Sequence, residues 1–168
     1  VEGSYQYKAA KEGSSFRKFW HTSKLSLFKK KLRKERVKSV LDLGCGSGNA
    51  YFYLSENGFD VSGVDISKSM INFCKLRAKK ENITDNFKLF DGKKIPFKSG
   101  SFDAVISSEV IEHLNNPMEH LKEAFRVLKK DGVLLITTPN YRSFWPILEY
   151  VSDILSLTPK MKGEQHIV

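Results

Sequence analysis

A strand that runs directly into a glycine-rich loop is the feature that most constrains the fold of this chain. Residues 40–48 read Val-Leu-Asp-Leu-Gly-Cys-Gly-Ser-Gly. The apolar residues predict a strand that is buried on both faces, as in a parallel sheet. Glycines at three alternate positions let the backbone turn sharply and come closer to a ligand than any Cβ would allow. The stretch therefore predicts a ligand site at the end of a parallel strand.

The spacing of the three glycines distinguishes between classes of ligand. A dinucleotide-binding loop has the pattern Gly-x-Gly-x-x-Gly, with a pyrophosphate at the N-terminus of the helix that follows. Here Gly44, Gly46 and Gly48 give Gly-x-Gly-x-Gly, followed by Asn49, and Asp42 lies inside the end of the strand. A carboxylate at that place would repel a pyrophosphate but attract a cationic amine. A nicotinamide-dependent oxidoreductase is therefore the disfavoured alternative.

Strand and helix patterns alternate along the chain. Strands are predicted near 38–43, 59–65, 86–91, 102–108 and 132–138, and helices near 49–57, 68–80 and 117–129. This alternation predicts an α/β fold, with a doubly wound, mostly parallel, Rossmann-like sheet and helices on both faces. Ligands of such sheets bind beyond the carboxyl ends of the strands. The acids at those ends are therefore candidate ligand-binding residues.

Five segments, in this order, resemble the motifs of class I S-adenosylmethionine-dependent methyltransferases. They are residues 40–48, 63–67, 87–97, 101–114 and 126–140. They are most similar to the methyltransferase type 11 branch, which includes ubiquinone-biosynthesis O-methyltransferases. The resemblance implies S-adenosylmethionine as cofactor, S-adenosylhomocysteine as product, and a small-molecule acceptor that is methylated at oxygen. A non-catalytic S-adenosylmethionine-binding or scaffold module is the alternative.

The resemblance also implies which residues bind the cofactor. Asp65 would accept hydrogen bonds from both ribose hydroxyls, and Asp91 would meet the adenine amino group. The full set of predicted cofactor-binding residues is Asp42, Gly44, Gly46, Gly48, Asp65, Ile66, Asp91, Gly92 and Glu109. Two ordinary interpretations stay open. Asp91-Gly92 is also a common turn pair, and Asp42 could be a buried carboxylate that is satisfied by amides of the glycine loop.

Glu109, Glu112 and His113 form a second candidate group. On a short helix their spacing would place all three side chains on one face, where two carboxylates and an imidazole could hold a divalent metal ion. The same letters occur in metal-dependent O-methyltransferases and in relatives without a metal, so a structural role is the alternative. His166 is a candidate fourth ligand, and Glu109 and His113 are the candidate catalytic residues.

Positive charge is concentrated near the start of the chain. Residues 1–38 hold twelve lysines and arginines against three acids, whereas the net charge of the whole chain is +9. Leu25, Phe28 and Leu32 fall at helical spacing with basic residues between them, which predicts a basic amphipathic helix. The helix is expected either to pack on the sheet with a solvated lysine face or to contact an anionic membrane surface. Nucleic acid is the disfavoured partner.

Three parts are predicted along the chain: a basic helical leader over 1–37, a cofactor-binding core over 38–140, and a helical lid or the start of a truncated C-terminal part over 141–168. No apolar run is long enough to span a membrane, so a soluble, cytoplasmic protein is expected. Family members add two further strands, one of them beside the fifth. We therefore expect a fragment, or a fifth strand that is covered by residues 144–157 or by a neighbouring chain.

Overall fold

The computed structural model describes residues 15–139, with side chains from residue 21 onward. The elements are α1 (Ser15–Lys34), β1 (Ser39–Leu43), α2 (Asn49–Glu56), β2 (Asp60–Asp65), α3 (Lys68–Glu81), β3 (Phe87–Leu89), β4 (Phe102–Ser108), a 3-10 turn (Ile111–His113), α4 (Pro117–Val127) and β5 (Leu128–Thr137). The expected lid over 141–168 and the candidate ligand His166 lie outside the described residues. None of the helices described here is long and apolar enough to cross a bilayer.

The five described strands form one parallel sheet in the order β3-β2-β1-β4-β5. β1 lies at the centre, where Val40 pairs with Val61 of β2 and with Ala104 of β4. The strand order reverses at β1, and ligands of such sheets bind in the crevice at this switch point. The predicted doubly wound α/β fold is confirmed.

Alternate residues of β1 face opposite sides of the sheet, and each side has its own apolar core. Val40 belongs to a cluster with residues of α1, α2 and α3, whereas Leu41 and Leu43 belong to a cluster with residues of α4 and of the loop after β3. Helices therefore cover both faces. This double burial explains why β1 is apolar at nearly every position, and it makes the acid at position 42 conspicuous.

Helix α1 packs on the first of these clusters. Phe28 and Leu32 are buried there, as is Val37 just after the helix. The basic residues of this region that point to solvent are Lys30, Lys31, Arg33, Lys34, Arg36 and Lys38. This arrangement matches the packed helix with a solvated lysine face. Contact with an anionic surface stays a prediction.

Two strands differ in length from the prediction. β3 covers only Phe87–Leu89, because Asp91 turns the chain by accepting hydrogen bonds from the amides of Lys93 and Lys94. β5 begins at Leu128, directly after α4, and not near residue 132. β1, β2 and β4 nevertheless end where the sequence pattern places their ends, at residues 43, 65 and 108.

Candidate functional site

The glycine loop, residues 44–48, connects β1 to α2 at the carboxyl edge of the sheet. The amides of Gly44 and Cys45 both donate to the Val64 carbonyl oxygen, at 2.8 and 3.0 Å. The amide of Gly48 donates back to the Cys45 carbonyl oxygen at 2.8 Å. These backbone bonds hold the loop against the end of β2, so its shape is already formed by the protein itself.

Gly44 is required by both conformation and space. Its φ is +80°, in the left-handed region, and a Cβ atom added to it would lie 2.5 Å from Cγ2 of Val110. Val110 follows the end of β4, so the ends of β1 and β4 approach each other here more closely than a side chain at position 44 permits. The glycine is therefore needed for the turn and for the packing of Val110 against the loop.

A Gly44→Ala substitution is expected to lower the free energy of unfolding by about 2–3 kcal/mol, because a steric clash adds to left-handed strain of about 1–2 kcal/mol. Gly58→Ala is the matched control. Gly58 also has a positive φ, +86°, but a Cβ there meets nothing within 4 Å. Chemical denaturation of both variants checks the expectation, and equal losses would show that the Val110 contact contributes nothing.

Asp65, at the end of β2, holds two pieces of backbone together. Its Oδ2 accepts a hydrogen bond from the amide of Gly46 and its Oδ1 accepts one from the amide of Ser67, both at 2.8 Å. Each carboxylate oxygen has a second lone pair, so both can also accept a hydrogen bond from a ligand hydroxyl. Asp65 thus lies between the glycine loop and the start of α3. Its role toward a ribose stays a prediction.

Asp42 is a buried acid beneath this edge of the sheet. It is 2% exposed, and the amide of Tyr51 in α2 donates to its Oδ2 at 3.1 Å. Burial raises the pKa of Asp42 to about 7, against the lowering effect of the Tyr51 hydrogen bond, and the negative charge of Asp65 raises it further. The amides of Gly44, Gly46 and Gly48 do not donate to Asp42. They donate to the Val64 carbonyl, the Asp65 carboxylate and the Cys45 carbonyl, in that order. The expectation that the glycine loop satisfies this carboxylate is therefore wrong, since the donor lies in α2.

The loops after β2 and β3 lie next to each other at the solvent-exposed carboxyl edge of the sheet. Ile66 is 70% exposed, and its Cγ2 lies 4.0 Å from the position that a Cβ on Gly92 would take. Asp91 is exposed, and the amides of Lys94 and Lys93, each 2.9 Å from its Oδ1, lower the pKa of its carboxyl group. Asp91 is thus a turn residue, as the ordinary interpretation expects. The exposed side chain of Ile66 beside Gly92 offers an apolar surface that suits a flat ring. The roles of these residues toward adenine stay predictions.

Glu109 follows β4 in a left-handed conformation, with φ +55°. Its amide donates to the Thr137 carbonyl oxygen of β5 at 2.8 Å, so the backbone turns away only after it has completed the ladder with β5. The Lys24 ammonium group of α1 donates to Glu109 Oε1 at 2.6 Å, across 85 residues of sequence. This ion pair joins α1 to the side of the sheet at which the strands end.

Sequence reasoning does not identify Lys24 as a site residue. One signal for it exists: Lys24 lies four residues before Phe28 and eight before Leu32, which places it on the buried face of α1. A lysine on a buried helix face needs an acidic partner. The basic residues that follow at 29–36 obscure this signal, because most of them are solvent-exposed and the same interpretation is then applied to Lys24.

The three candidate metal ligands do not share a helical face. The 3-10 turn begins at Ile111, so Glu109 lies before it in a left-handed conformation, and His113 is exposed. Within the side chains described, residues 21–139, no group of three or more His, Cys, Asp or Glu residues could hold a metal ion. The prediction of a shared face for Glu109, Glu112 and His113 is wrong, and these residues do not fit a divalent metal ion.

Comparison with protein families gives one match that covers more than half of the chain. The family described as "Methyltransferase domain" (Methyltransf_11) matches residues 41–136. The matched range begins inside β1, ends inside β5 and contains the glycine loop, Asp65, Asp91 and Glu109. It does not include α1, so Lys24 lies outside the part of the chain that the family pattern describes.

Individual relatives carry related names. The ubiquinone biosynthesis O-methyltransferase of Pelagibacter ubique is 34% identical over 60% of this chain and 42% of its own length. The malonyl-[acyl-carrier protein] O-methyltransferase of Enterobacter lignolyticus is 30% identical over 71% of this chain and 48% of its own. This chain thus spans about half the length of the curated relatives it matches. The crystal structure of the PH0226 protein from Pyrococcus horikoshii is 32% identical with a TM-score of 0.68, over 80% of this chain and 62% of that one. By fold, motifs and family match, the chain belongs to the class I S-adenosylmethionine-dependent methyltransferases.

Proposed function

We propose that this chain transfers the methyl group of S-adenosylmethionine to an oxygen atom of a small-molecule acceptor. The observation that carries the proposal is the set of three acids beside the glycine loop, Asp42, Asp65 and Glu109, which lie at the ends of three adjacent strands. Acids in this position suit a ligand with ribose hydroxyls and a positive charge. Asp65 alone would suit the ribose of either cofactor, but an acid at position 42 beside the glycine loop disfavours the pyrophosphate of a nicotinamide dinucleotide.

The residues present fit this cofactor. Gly44, at φ +80°, lets the backbone make the sharp turn after β1 while Val110 packs against it. The carboxylate of Asp65 has acceptor capacity left for vicinal hydroxyls, and the exposed Ile66 beside Gly92 offers an apolar surface to the adenine ring. Asp42, whose pKa is raised to about 7, would supply partial negative charge near the ammonium group of the cofactor at neutral pH. S-adenosylhomocysteine, which has the same adenosyl group, would be the product.

The chemistry asks little of the protein beyond alignment. S-adenosylmethionine supplies a methyl group that its sulfonium charge has already activated. The protein then has to hold the acceptor in line and remove its proton where needed. Glu109 is the first candidate for the proton acceptor, because it ends β4 beside the glycine loop, and its ion pair with Lys24 would have to open for this role. His113, exposed in the 3-10 turn, is the second candidate.

Oxygen is proposed as the acceptor atom because relatives of the chain are named O-methyltransferases. The test is incubation of the protein with methyl-labelled S-adenosylmethionine and, separately, a dihydroxyphenol, a short dicarboxylate and a primary amine. Label that is stable to alkali on the phenol identifies ether formation, and label released as methanol identifies ester formation. Label on the amine alone would contradict the oxygen assignment. Saturable cofactor binding with no label transfer would favour the non-catalytic module.

We also propose that the solvated basic face of α1 contacts an anionic surface. Its Lys30 and Lys31 are exposed, whereas its apolar residues Phe28 and Leu32 are buried in the core. The attraction would therefore be electrostatic, without insertion of a helix face. Each lysine near an anionic bilayer contributes about 1 kcal/mol, and salt screens the attraction.

The variant Lys30→Gln/Lys31→Gln should weaken the affinity for anionic vesicles, measured by sedimentation, about 30-fold at low salt, at unchanged affinity for S-adenosylmethionine. The matched control is Lys79→Gln/Lys80→Gln, which removes two exposed lysines from the end of α3. Equal losses in the two variants would mean that overall charge, and not the α1 face, determines binding. Equal sedimentation of the unaltered protein with anionic and neutral vesicles would contradict the proposal and leave α1 with a structural role alone.

A further inference from the structure

One cation reaches into the acidic edge of the sheet. The side chain of Lys24 is only 12% exposed, and its ammonium group lies 2.6 Å from Oε1 of Glu109, whose side chain is 34% exposed. Such a pair is shielded from solvent on the lysine side. It is therefore screened less than the exposed Lys31–Glu35 pair of the same helix, whose side chains are 50% and 38% exposed.

The fold holds Lys24 at this place. Phe28 and Leu32, one and two turns later on α1, are buried in the core and fix the helix on the body of the protein. Residues four apart share a helix face, so the face that packs is also the face that carries Lys24. Burial raises the pKa of the Asp42 carboxyl group, and the charge of Lys24 offsets a small part of that rise, so Lys24 also acts on a second acid of this edge.

We propose that Lys24 occupies a cation position that the positive charge of the cofactor must compete for, so that loading of S-adenosylmethionine breaks the Lys24–Glu109 ion pair. The inference rests on the proposed function and adds a specificity residue to it. Lys24 lies outside residues 41–136, the range that the family pattern matches, so the family match itself does not assign it a role.

The net charges of the two cofactor forms make the competition measurable. S-adenosylmethionine carries an ammonium, a sulfonium and a carboxylate group, a net charge of one positive unit. S-adenosylhomocysteine carries a thioether in place of the sulfonium and has no net charge. A lysine charge at the site therefore opposes S-adenosylmethionine more than S-adenosylhomocysteine. Lys24 would lower the preference of the protein for the cofactor over the product.

The test compares Lys24→Met with the unaltered protein, with Lys24→Arg, which retains the charge, and with Lys31→Met, which removes a lysine from the exposed pair of the same helix. Calorimetry is expected to show that Lys24→Met binds S-adenosylmethionine about tenfold more tightly, within the 5–150-fold range usual for coupled sites. The affinity for S-adenosylhomocysteine should change less. Lys24→Arg and Lys31→Met should behave as the unaltered protein does.

A second measurement does not depend on the folding of a variant. Acetic anhydride labelling of the unaltered protein, read by mass spectrometry, should modify Lys24 slowly without cofactor and faster with S-adenosylmethionine, while Lys31 labels equally in both. Unchanged or weaker binding by Lys24→Met, an equal change in Lys31→Met, or slower labelling of Lys24 with cofactor would each overturn the inference while the proposed function stands. If the unaltered protein bound neither S-adenosylmethionine nor S-adenosylhomocysteine, the proposed function would fail and this inference with it.

Discussion

An Asp65→Ala variant is expected to bind S-adenosylmethionine and S-adenosylhomocysteine about 10-fold to 100-fold more weakly than the unaltered protein. Hydrogen bonds to a charged group are worth about 1.5–3 kcal/mol, and about 1.4 kcal/mol corresponds to a tenfold change in affinity. The loss has two sources. The variant lacks the acceptor for the ribose hydroxyls, and it frees the amides of Gly46 and Ser67 that Asp65 holds at 2.8 Å.

Asp60→Ala is the matched control for this experiment. Asp60 is an exposed acid at the opposite end of the same strand, β2, so its removal changes the net charge equally but leaves the carboxyl edge intact. Calorimetric titration of both variants separates the two effects. Equal weakening in Asp60→Ala and Asp65→Ala, or full affinity in Asp65→Ala, would remove Asp65 from the cofactor site.

An Asp42→Asn variant is expected to be more stable than the unaltered protein near pH 8, by about 4 kcal/mol. Burial raises the pKa of the Asp42 carboxyl group from its ordinary value of 3.8 to about 7 in the folded protein. Between these values the folded state holds a proton that the unfolded state has released. Stability from this group is therefore full below pH 3.8 and is lost as the pH rises through about 7. An amide does not ionise, so the variant avoids this loss.

Chemical denaturation near pH 4 and near pH 8 checks this expectation, because the advantage of Asp42→Asn should appear only at the higher pH. Asp103→Asn is the control for which the opposite change in stability is expected: this variant should be less stable than the unaltered protein near pH 8. The Lys129 ammonium group and the backbone of Ser39 lower the pKa of Asp103, so that carboxylate stabilises the fold above its ordinary pKa. A constant difference between Asp42→Asn and the unaltered protein at both pH values would contradict the ionisation account. Weaker cofactor binding by the more stable variant would mark Asp42 as an acid retained for function.

The strands of this fold could be predicted because the sheet is buried on both faces. Val40, Leu41 and Leu43 leave little alternative to a central parallel strand, and the glycines that follow place the loop at its end. The acids at positions 42, 65 and 109 could be placed at the carboxyl edge for the same reason, since parallel strands end at one side of a sheet. Their hydrogen-bond partners could not be read from the pattern.

The contacts that sequence reasoning missed join residues that are far apart in the chain. Lys24 and Glu109 are 85 residues apart, and no local pattern pairs them. The buried contact between Ser107 Oγ and His120 Nε2, at 2.9 Å, likewise links β4 to α4. The helix expected over 109–113 fails because the amide of Glu109 bonds to β5 before the chain turns. A tertiary hydrogen bond thus overrides local helical spacing.

Calorimetric titration of the protein with S-adenosylhomocysteine, with S-adenosylmethionine and, in parallel, with NADH tests the central claim most directly. The acids beside the glycine loop predict saturable binding of one molecule of either S-adenosyl compound and no saturable heat with NADH. The same titration of Asp65→Ala should show the weakened binding described above. Saturable binding of NADH, or the absence of saturable heat with both S-adenosyl compounds, would contradict the account.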